Sequence, residues 1–233
     1  MGRRGHRPVR SSGLNGHQGG QPGSELDAHL VAGLHLPRPQ PGRTTENRAI
    51  LQRVEAAIAK AGDKPYVTEL RQFRLALVLL EGKPEEVLPL LEPMLASDDP
   101  RTRQWATLKQ VDVLLVLGRV DEAAKRLEKG GAALEKAYPG ETACYRGRIL
   151  GARGEQVAAA LEFMRVPILY ASKDRERTAE ALWRAGQAMA AAGMPADEVA
   201  KVYQEAVRDY PGTAGAESAE KELAKTAVPT GRD

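Results

Sequence analysis

Apolar and polar positions alternate with a helical period over most of the chain. From Thr45, a plausible N-cap, the run NRAILQRVEAAIAKAG puts Ile50, Val54, Ala57, Ile58 and Ala61 on one face, and Gly62 ends it. Apolar helical runs then close in turn at Gly82, Gly118, Gly154 and Gly193, and each glycine opens a similar phrase: GKPEEVLPLL, GRVDEAAKRL, GEQVAAALEF and GMPADEVAKVY. The glycines lie 36, 36 and 39 residues apart. A nearly constant period in the thirties with a glycine turn in mid-unit is the signature of stacked helical hairpins, in which one hairpin cannot bury its apolar face alone and its neighbours complete the core.

The pattern predicts paired helices over 65–81 and 84–97, 101–117 and 119–136, 141–153 and 155–171, and 175–192 and 196–210. The units fall near 63–98, 99–137, 140–173 and 175–211, followed by a more polar capping helix at 214–226. The expected fold is therefore all-α: a right-handed superhelical solenoid of antiparallel helix pairs across 46–226, with no sheet. Pro89 and Pro93 fall inside one second helix and Pro167 inside another. Interior prolines remove a backbone hydrogen bond, so these helices are expected to be bent or shortened. Asp121 with Lys125 and Glu122 with Arg126 have the i,i+4 spacing of a solvated helix face.

Composition separates this body from its flanks. Residues 1–45 hold nine Gly and five Pro, too little apolar surface to offset the entropy of ordering, and are expected to be disordered, as are 227–233. A short run, HLVAGLHL at 29–36, is the one stretch of this tail able to dock weakly. The tail carries six Arg against Glu25 and Asp27, which leaves the remainder with 28 basic and 29 acidic residues out of the chain's 34 and 31. A near-neutral body lacks the broad basic field of a nucleic-acid binder. Aromatic residues make up 4% of the chain, which suits close-packed Ala- and Leu-rich helices better than a β-sandwich. No run approaches a membrane span, and the basic N-terminus is not followed by an apolar stretch of the signal-peptide kind. As written, the sequence is expected to be cytoplasmic; a mis-assigned start would leave a periplasmic or cell-envelope location open.

Candidate chemistry is sparse. All four histidines, at 6, 17, 29 and 35, lie in the tail, which removes imidazole as base or metal ligand from the helical body. The lone Cys144 cannot form an internal disulfide and reads as a small buried side chain. No phosphate loop, nucleophile elbow or zinc-protease motif occurs. GARGEQ at 151–156 lacks the Lys-Ser/Thr that a phosphate loop needs and reads as a hairpin turn. Glu85 and Glu86 match a helix start, and Asp98 and Asp99 a helix end, rather than an acid–base pair. No cofactor or metal is expected, and no enzymatic activity.

The fourth unit resembles a tetratricopeptide repeat (TPR). Leu182, Ala185, Gly186 and Met189 stand in its first helix, Val199, Tyr203 and Ala206 in its second, and Pro211 follows, with a turn one residue longer than usual. The third is similar through Gly147, Leu150, Gly154, Ala159 and Phe163. The second keeps Leu114, Gly118, Ala123 and Leu127, and the first keeps Val78, Gly82, Val87 and Leu91. Leu75 and Val111 replace the first-helix glycine in these two units, and Arg74 departs from an apolar position. The connection ILYASKDRERTAEALWRAG and the ending VYQEAVRDYPGTAGAESAEKEL are similar to bacterial cell-envelope TPR proteins of the YbgF and BamD types, which are adaptors without enzymatic activity.

The resemblance implies a protein or peptide partner held in a concave groove lined by the first helix of each pair. In that register Glu69, Gln72, Trp105, Asp112, Glu141, Arg148, Glu180, Trp183 and Gln187 face the groove. Both tryptophans of the chain fall in this set, and Trp is enriched at interface hot spots, so they are the candidate anchors among mostly acidic groups. Either ring would equally suit packing between helices, near where the repeat itself carries a Trp. The chaperone-clamp subclass is excluded, because Ala76, Asp112, Arg148 and Gln187 stand where its clamp would need Asn. The expected function is a non-catalytic interaction scaffold or adaptor. The alternative is a regulatory or dimerising module for a separately encoded enzyme or transcription factor.

Overall fold

A computed structural model describes residues 44–62, 64, 66–170 and 174–227. The Gly/Pro/Arg-rich tail with its histidines and its 29–36 run, and residues 228–233, lie outside the described residues. Those described form ten α-helices and no strand: α1 Thr44–Ala61, α2 Val67–Leu80, α3 Pro84–Leu95, α4 Pro100–Val116, α5 Val120–Ala137, α6 Pro139–Ala152, α7 Gln156–Leu169, α8 Arg175–Ala191, α9 Ala196–Asp209 and α10 Ala214–Ala227.

The four rhythmic glycines stop α2, α4, α6 and α8 by one device. Each adopts positive φ, between 71° and 82°. The following amide then reaches back to a carbonyl five residues earlier: Lys83 to Val78, Arg119 to Leu114, Glu155 to Leu150 and Met194 to Met189. This closure satisfies carbonyls left over at a helix end and needs a residue without a Cβ. Helix starts are less uniform. Asp99 caps α4 by accepting from the Thr102 amide at 2.8 Å, and Asp174 caps α8 by accepting from Arg177 at 3.0 Å. Pro84, Pro100 and Pro139 open α3, α4 and α6, where their missing N–H costs nothing.

Each helix packs on the next, and α4 with α6, α6 with α8 and α8 with α10 also meet directly. The interior is correspondingly divided into successive clusters. Val54, Leu70, Phe73 and Leu77 join α1 to α2. Leu75, Val87, Leu91, Met94 and Val113 join α2, α3 and α4. Leu108, Val111, Leu127, Leu134 and Ile149 join α4, α5 and α6. Phe163, Leu182, Met189, Val199, Tyr203 and Ala219 run from α7 to α10.

Several expectations are corrected. The first helix begins at Thr44, so Thr45 lies within it rather than capping it. The helices with interior prolines are shortened but not interrupted at the rings: α3 runs through Pro89 and Pro93, and α7 through Pro167, each ending two residues before the predicted end. Pro89 and Pro93 are both exposed and four apart, so solvent can reach the carbonyls they leave without a donor. The irregular helix is instead α5, which kinks at Gly131 with φ 44° and ψ −136°. The i,i+4 pairs expected on α5 give way to other partners: Arg119 binds Glu122, and Arg153 binds Asp121 at 2.8 Å. Arg74, out of place in an apolar position, reaches Glu55 of α1 at 2.7 Å.

Candidate functional site

The first helices α6 and α8 are each locked to their own second helix by an equivalent contact. Gly147 of α6 faces Phe163 of α7, and a Cβ on Gly147 would sit 2.7 Å from ring atom Cε1. Gly186 of α8 faces Tyr203 of α9, where a Cβ would lie 2.8 Å from Cδ1 and closer still to Cε1. The aromatic ring occupies the volume a side chain would take, so the two helices of each pair approach closely. Ala159 and Ala206, one turn from each ring, are fully buried.

The last turns of α4, α6 and α8, with Gln156 and Phe163 of α7, enclose an open recess of about 360 Å3, so the Gly147–Phe163 lock forms part of its wall. Its floor and walls are otherwise small or apolar: Leu115, Gly151, Ala152, Ala188 and Ala191. Its polar groups are Arg148, Arg184, Gln187 and Gln156, the last donating Nε2–H to the Gly151 carbonyl at 3.0 Å.

Four of the predicted groove residues line this recess or hold the side chains that do. Arg148 binds Asp112 across α4 and α6 at 2.5 Å and lies 5.4 Å over the Tyr145 ring. Arg184 binds Glu180 at 2.7 Å and lies 5.2 Å over the Trp183 ring. Gln187 is exposed at the recess itself. Towards the other end of the same helices, Glu141 of α6 binds Arg177 of α8 at 3.0 Å, and Arg177 also holds the capping Asp174 at 2.8 Å. The acidic residues Asp112, Glu141 and Glu180 are thus each held by an arginine, and the groups left facing the recess are guanidinium and carboxamide.

Two predicted members lie on α2, outside the recess lining. Glu69 is exposed and Gln72 half-buried there. The tryptophans are both half-buried. Trp105 packs against the α2–α4 cluster, with Lys109 Nζ 5.9 Å over its ring. Trp183 packs against the α7–α10 cluster, and its indole Nε1 is buried and meets no acceptor among the described residues.

Burial sets the chemistry of the nearby titratable groups. It pushes the Cys144 thiol up to about 12 and raises the Tyr145 phenol well above its ordinary value, with Asp112 adding to the latter. Burial, with Glu222 nearby, also raises Tyr203 to about 12. None of these groups is ionised near neutrality, so none is a ready nucleophile or base. Among the described residues no group of three His, Cys, Asp or Glu is placed to hold a metal, and no helix is long and apolar enough to cross a membrane.

The sequence reading omitted Arg184, Gly151, Ala152, Gln156, Ala188 and Ala191. Arg184 was detectable as the i+4 partner of Glu180, and Gly147 with Gly151 as small residues one turn apart. It also omitted Gly215 of α10, where a Cβ would overlap the Ala179 and Glu180 backbone of α8.

Comparison of the chain with protein-family models, with curated proteins and with solved structures finds no match.

Proposed function

We propose that the chain is a TPR-like array, a right-handed superhelix of antiparallel helix pairs, acting as a non-catalytic adaptor. The recess between α4, α6 and α8 receives an extended segment of a protein partner. The observation that carries this reading is the recess itself: a floor of Gly and Ala that lets a second backbone approach, beside Arg148, Arg184, Gln187 and Gln156 as hydrogen-bonding groups. These groups donate to main-chain carbonyls, while Leu115 and the alanine methyls suit small apolar side chains. The paired locks Gly147–Phe163 and Gly186–Tyr203 support the repeat assignment, because the lock recurs 39 to 40 residues along the chain with its helix glycine seven residues before the turn glycine each time.

The test is selection of peptides from a random displayed library on the full chain, followed by solution binding. With Trp105→Phe as background, Trp183 is the sole indole and reports on the guanidinium above it. Selected peptides are expected to bind in the micromolar range, about −8 kcal/mol, and to shift Trp183 emission. Arg184→Glu and Gln187→Phe should each weaken binding about tenfold or more with the melting midpoint held. Failure to select any peptide, or binding indifferent to both substitutions, would overturn the assignment.

A further inference from the structure

One position in every unit is apolar and turned to solvent. Leu80, Val116, Ala152 and Ala191 each stand two residues before a turn glycine, at the ends of α2, α4, α6 and α8. Leu80 is 37% and Val116 61% exposed, and both alanines are exposed. The turns that carry them are neighbours. Arg153 after α6 binds Asp121 at the start of α5 at 2.8 Å, and Leu117 packs on the α2–α4 cluster. Ala152 and Ala191 line the recess, as does Leu115 next to Val116. The recess is thus the far end of an apolar row that starts at Leu80.

The row also has a charge. Along these turns Lys83 holds Glu86, Arg119 holds Glu122 and Arg153 holds Asp121. Glu85, Glu155 and Glu198 are exposed and meet no cation among the described residues. The row therefore selects an occupant that is basic as well as apolar.

The described chain begins at this end of the molecule. Glu55 with Arg74 and Ile50 with Leu77 set α1 antiparallel to α2, so Thr44 stands beyond Leu80. Of the residues before it, 31–43 read VAGLHLPRPQPGR. They place apolar residues at every third position, Val31, Leu34 and Pro37, with Arg38 and Arg43 and no acid. Prolines at 37, 39 and 41 favour polyproline II, which rises about 3.1 Å per residue and returns to the same side about every 9 Å. Packed helices lie about 8–10 Å apart, so the two periods match.

We propose that residues 31–37 lie in the recess as an intramolecular strap, with Pro37 on Val116, Leu34 on Ala152 and Val31 on Ala191. This rests on the recess being a binding site and names the segment that a partner must displace from it. Seven steps from Thr44 back to Pro37 reach about 22 Å in this conformation, enough to pass Leu80 and arrive at Val116. Arg43 and Arg38 fall at the α2 and α4 turns, beside Glu85. A polyproline II backbone bonds none of its own carbonyls, which leaves them to accept from Arg148, Arg184 and Gln187. So short a tether gives an effective concentration in the millimolar range, and a contact too weak to hold a free peptide is then mostly occupied.

A photocrosslinker at position 34 of the full chain tests this. Crosslinks are expected within one chain, to residues 148–152 of α6 and 187–191 of α8. Leu34→Asp removes the central contact. A peptide selected on the recess should bind this variant about tenfold more tightly than the parent, as when about nine-tenths of the parent is occupied by its own strap. Leu14→Asp, outside the strap, should leave the affinity unchanged. Crosslinks to α7, to scattered positions or between two chains would overturn the strap, as would equal affinity of the parent and Leu34→Asp. Peptide binding that still weakens with Arg184→Glu would in that case leave the recess standing as a binding site. Crosslinks into the recess with no peptide selected on either chain would support the strap and overturn the adaptor reading.

Discussion

Gly186 and Tyr203 occupy one volume between them: the ring of Tyr203 lies where the side chain of residue 186 would be. Tyr203 is 4% exposed and sits in the largest core cluster with Leu182, Ala185 and Ala206, so the ring has no free side to move to. Overpacking of this kind costs about 1–3 kcal/mol or more. Gly186→Leu is therefore expected to lower the melting midpoint by several degrees, at about 2–4 °C per kcal/mol for a chain of this length. Calorimetry of Gly186→Leu, Tyr203→Ala and the double variant should show coupling, the double variant losing less than the two singles together. Strict additivity would mean that the ring and the glycine do not share the space.

Gly215 offers a harsher case. A side chain at Gly147 or Gly186 meets another side chain, but one at Gly215 meets the α8 main chain at Ala179 and Glu180. Even Gly215→Ala should therefore detach α10. Hydrogen exchange should show α10 amides losing protection while those of α4 and α5 keep theirs. Protection of α10 equal to that of the parent chain would contradict the packing.

These glycines show what was legible in the sequence. Gly82, Gly118, Gly154 and Gly193 could be read because a helix-ending glycine follows an apolar run and repeats with the fold's own period. Gly215 could not: it lies in a stretch of small residues, and only the approach of α8 makes its missing Cβ matter. The kink at Gly131, inside the single helix predicted over 119–136, was not legible for a related reason. Two glycines within an otherwise periodic segment lower helix propensity without saying whether tertiary packing will break the helix, and α5 breaks there. At the recess, the register implied by the repeat resemblance set Arg148 and Gln187 on one side, and both line it. It did not reveal that Asp112, Glu141 and Glu180 are each held by an arginine, since two of those pairs join residues 36 apart on different helices.

The cap of α4 makes a pH-dependent contribution. Asp99 accepts from the Thr102 hydroxyl at 2.7 Å and from the amides of Thr102 and Arg101, and these bonds hold its carboxyl below the ordinary value of 3.8. A carboxyl lowered in the folded state stabilises fully above its unfolded value and loses that contribution as pH falls through its folded one. Asp99→Ala should therefore cost about 1 kcal/mol at neutral pH. In urea titrations the gap between variant and parent should close as the pH is taken below 3.8. A gap constant from neutrality to strongly acid pH would mean that Asp99 does not cap as a carboxylate.

Cys144 is the chain's single thiol, and its chemistry is set by where α6 places it. It packs with Tyr170 against Ala143, Val166 and Ala181, and burial, with Glu180 adding to it, pushes the thiol up to about 12. The thiolate is the species that attacks an alkylating reagent. At pH 8 the folded chain holds almost none, whereas an unfolded chain with an ordinary thiol near 8.5 holds a substantial fraction. Iodoacetamide should accordingly leave the native protein unmodified over hours and label it to one equivalent in denaturant. In moderate denaturant the labelling rate should follow the population of opened α6, giving a local stability for the α6–α8 contact beneath the recess. A selected peptide that bridges α6 and α8 should slow labelling further at those denaturant concentrations. Rapid labelling of the native chain without denaturant would show that the α6–α8 contact is open in solution, and the recess would lose the rigid floor on which its binding role depends.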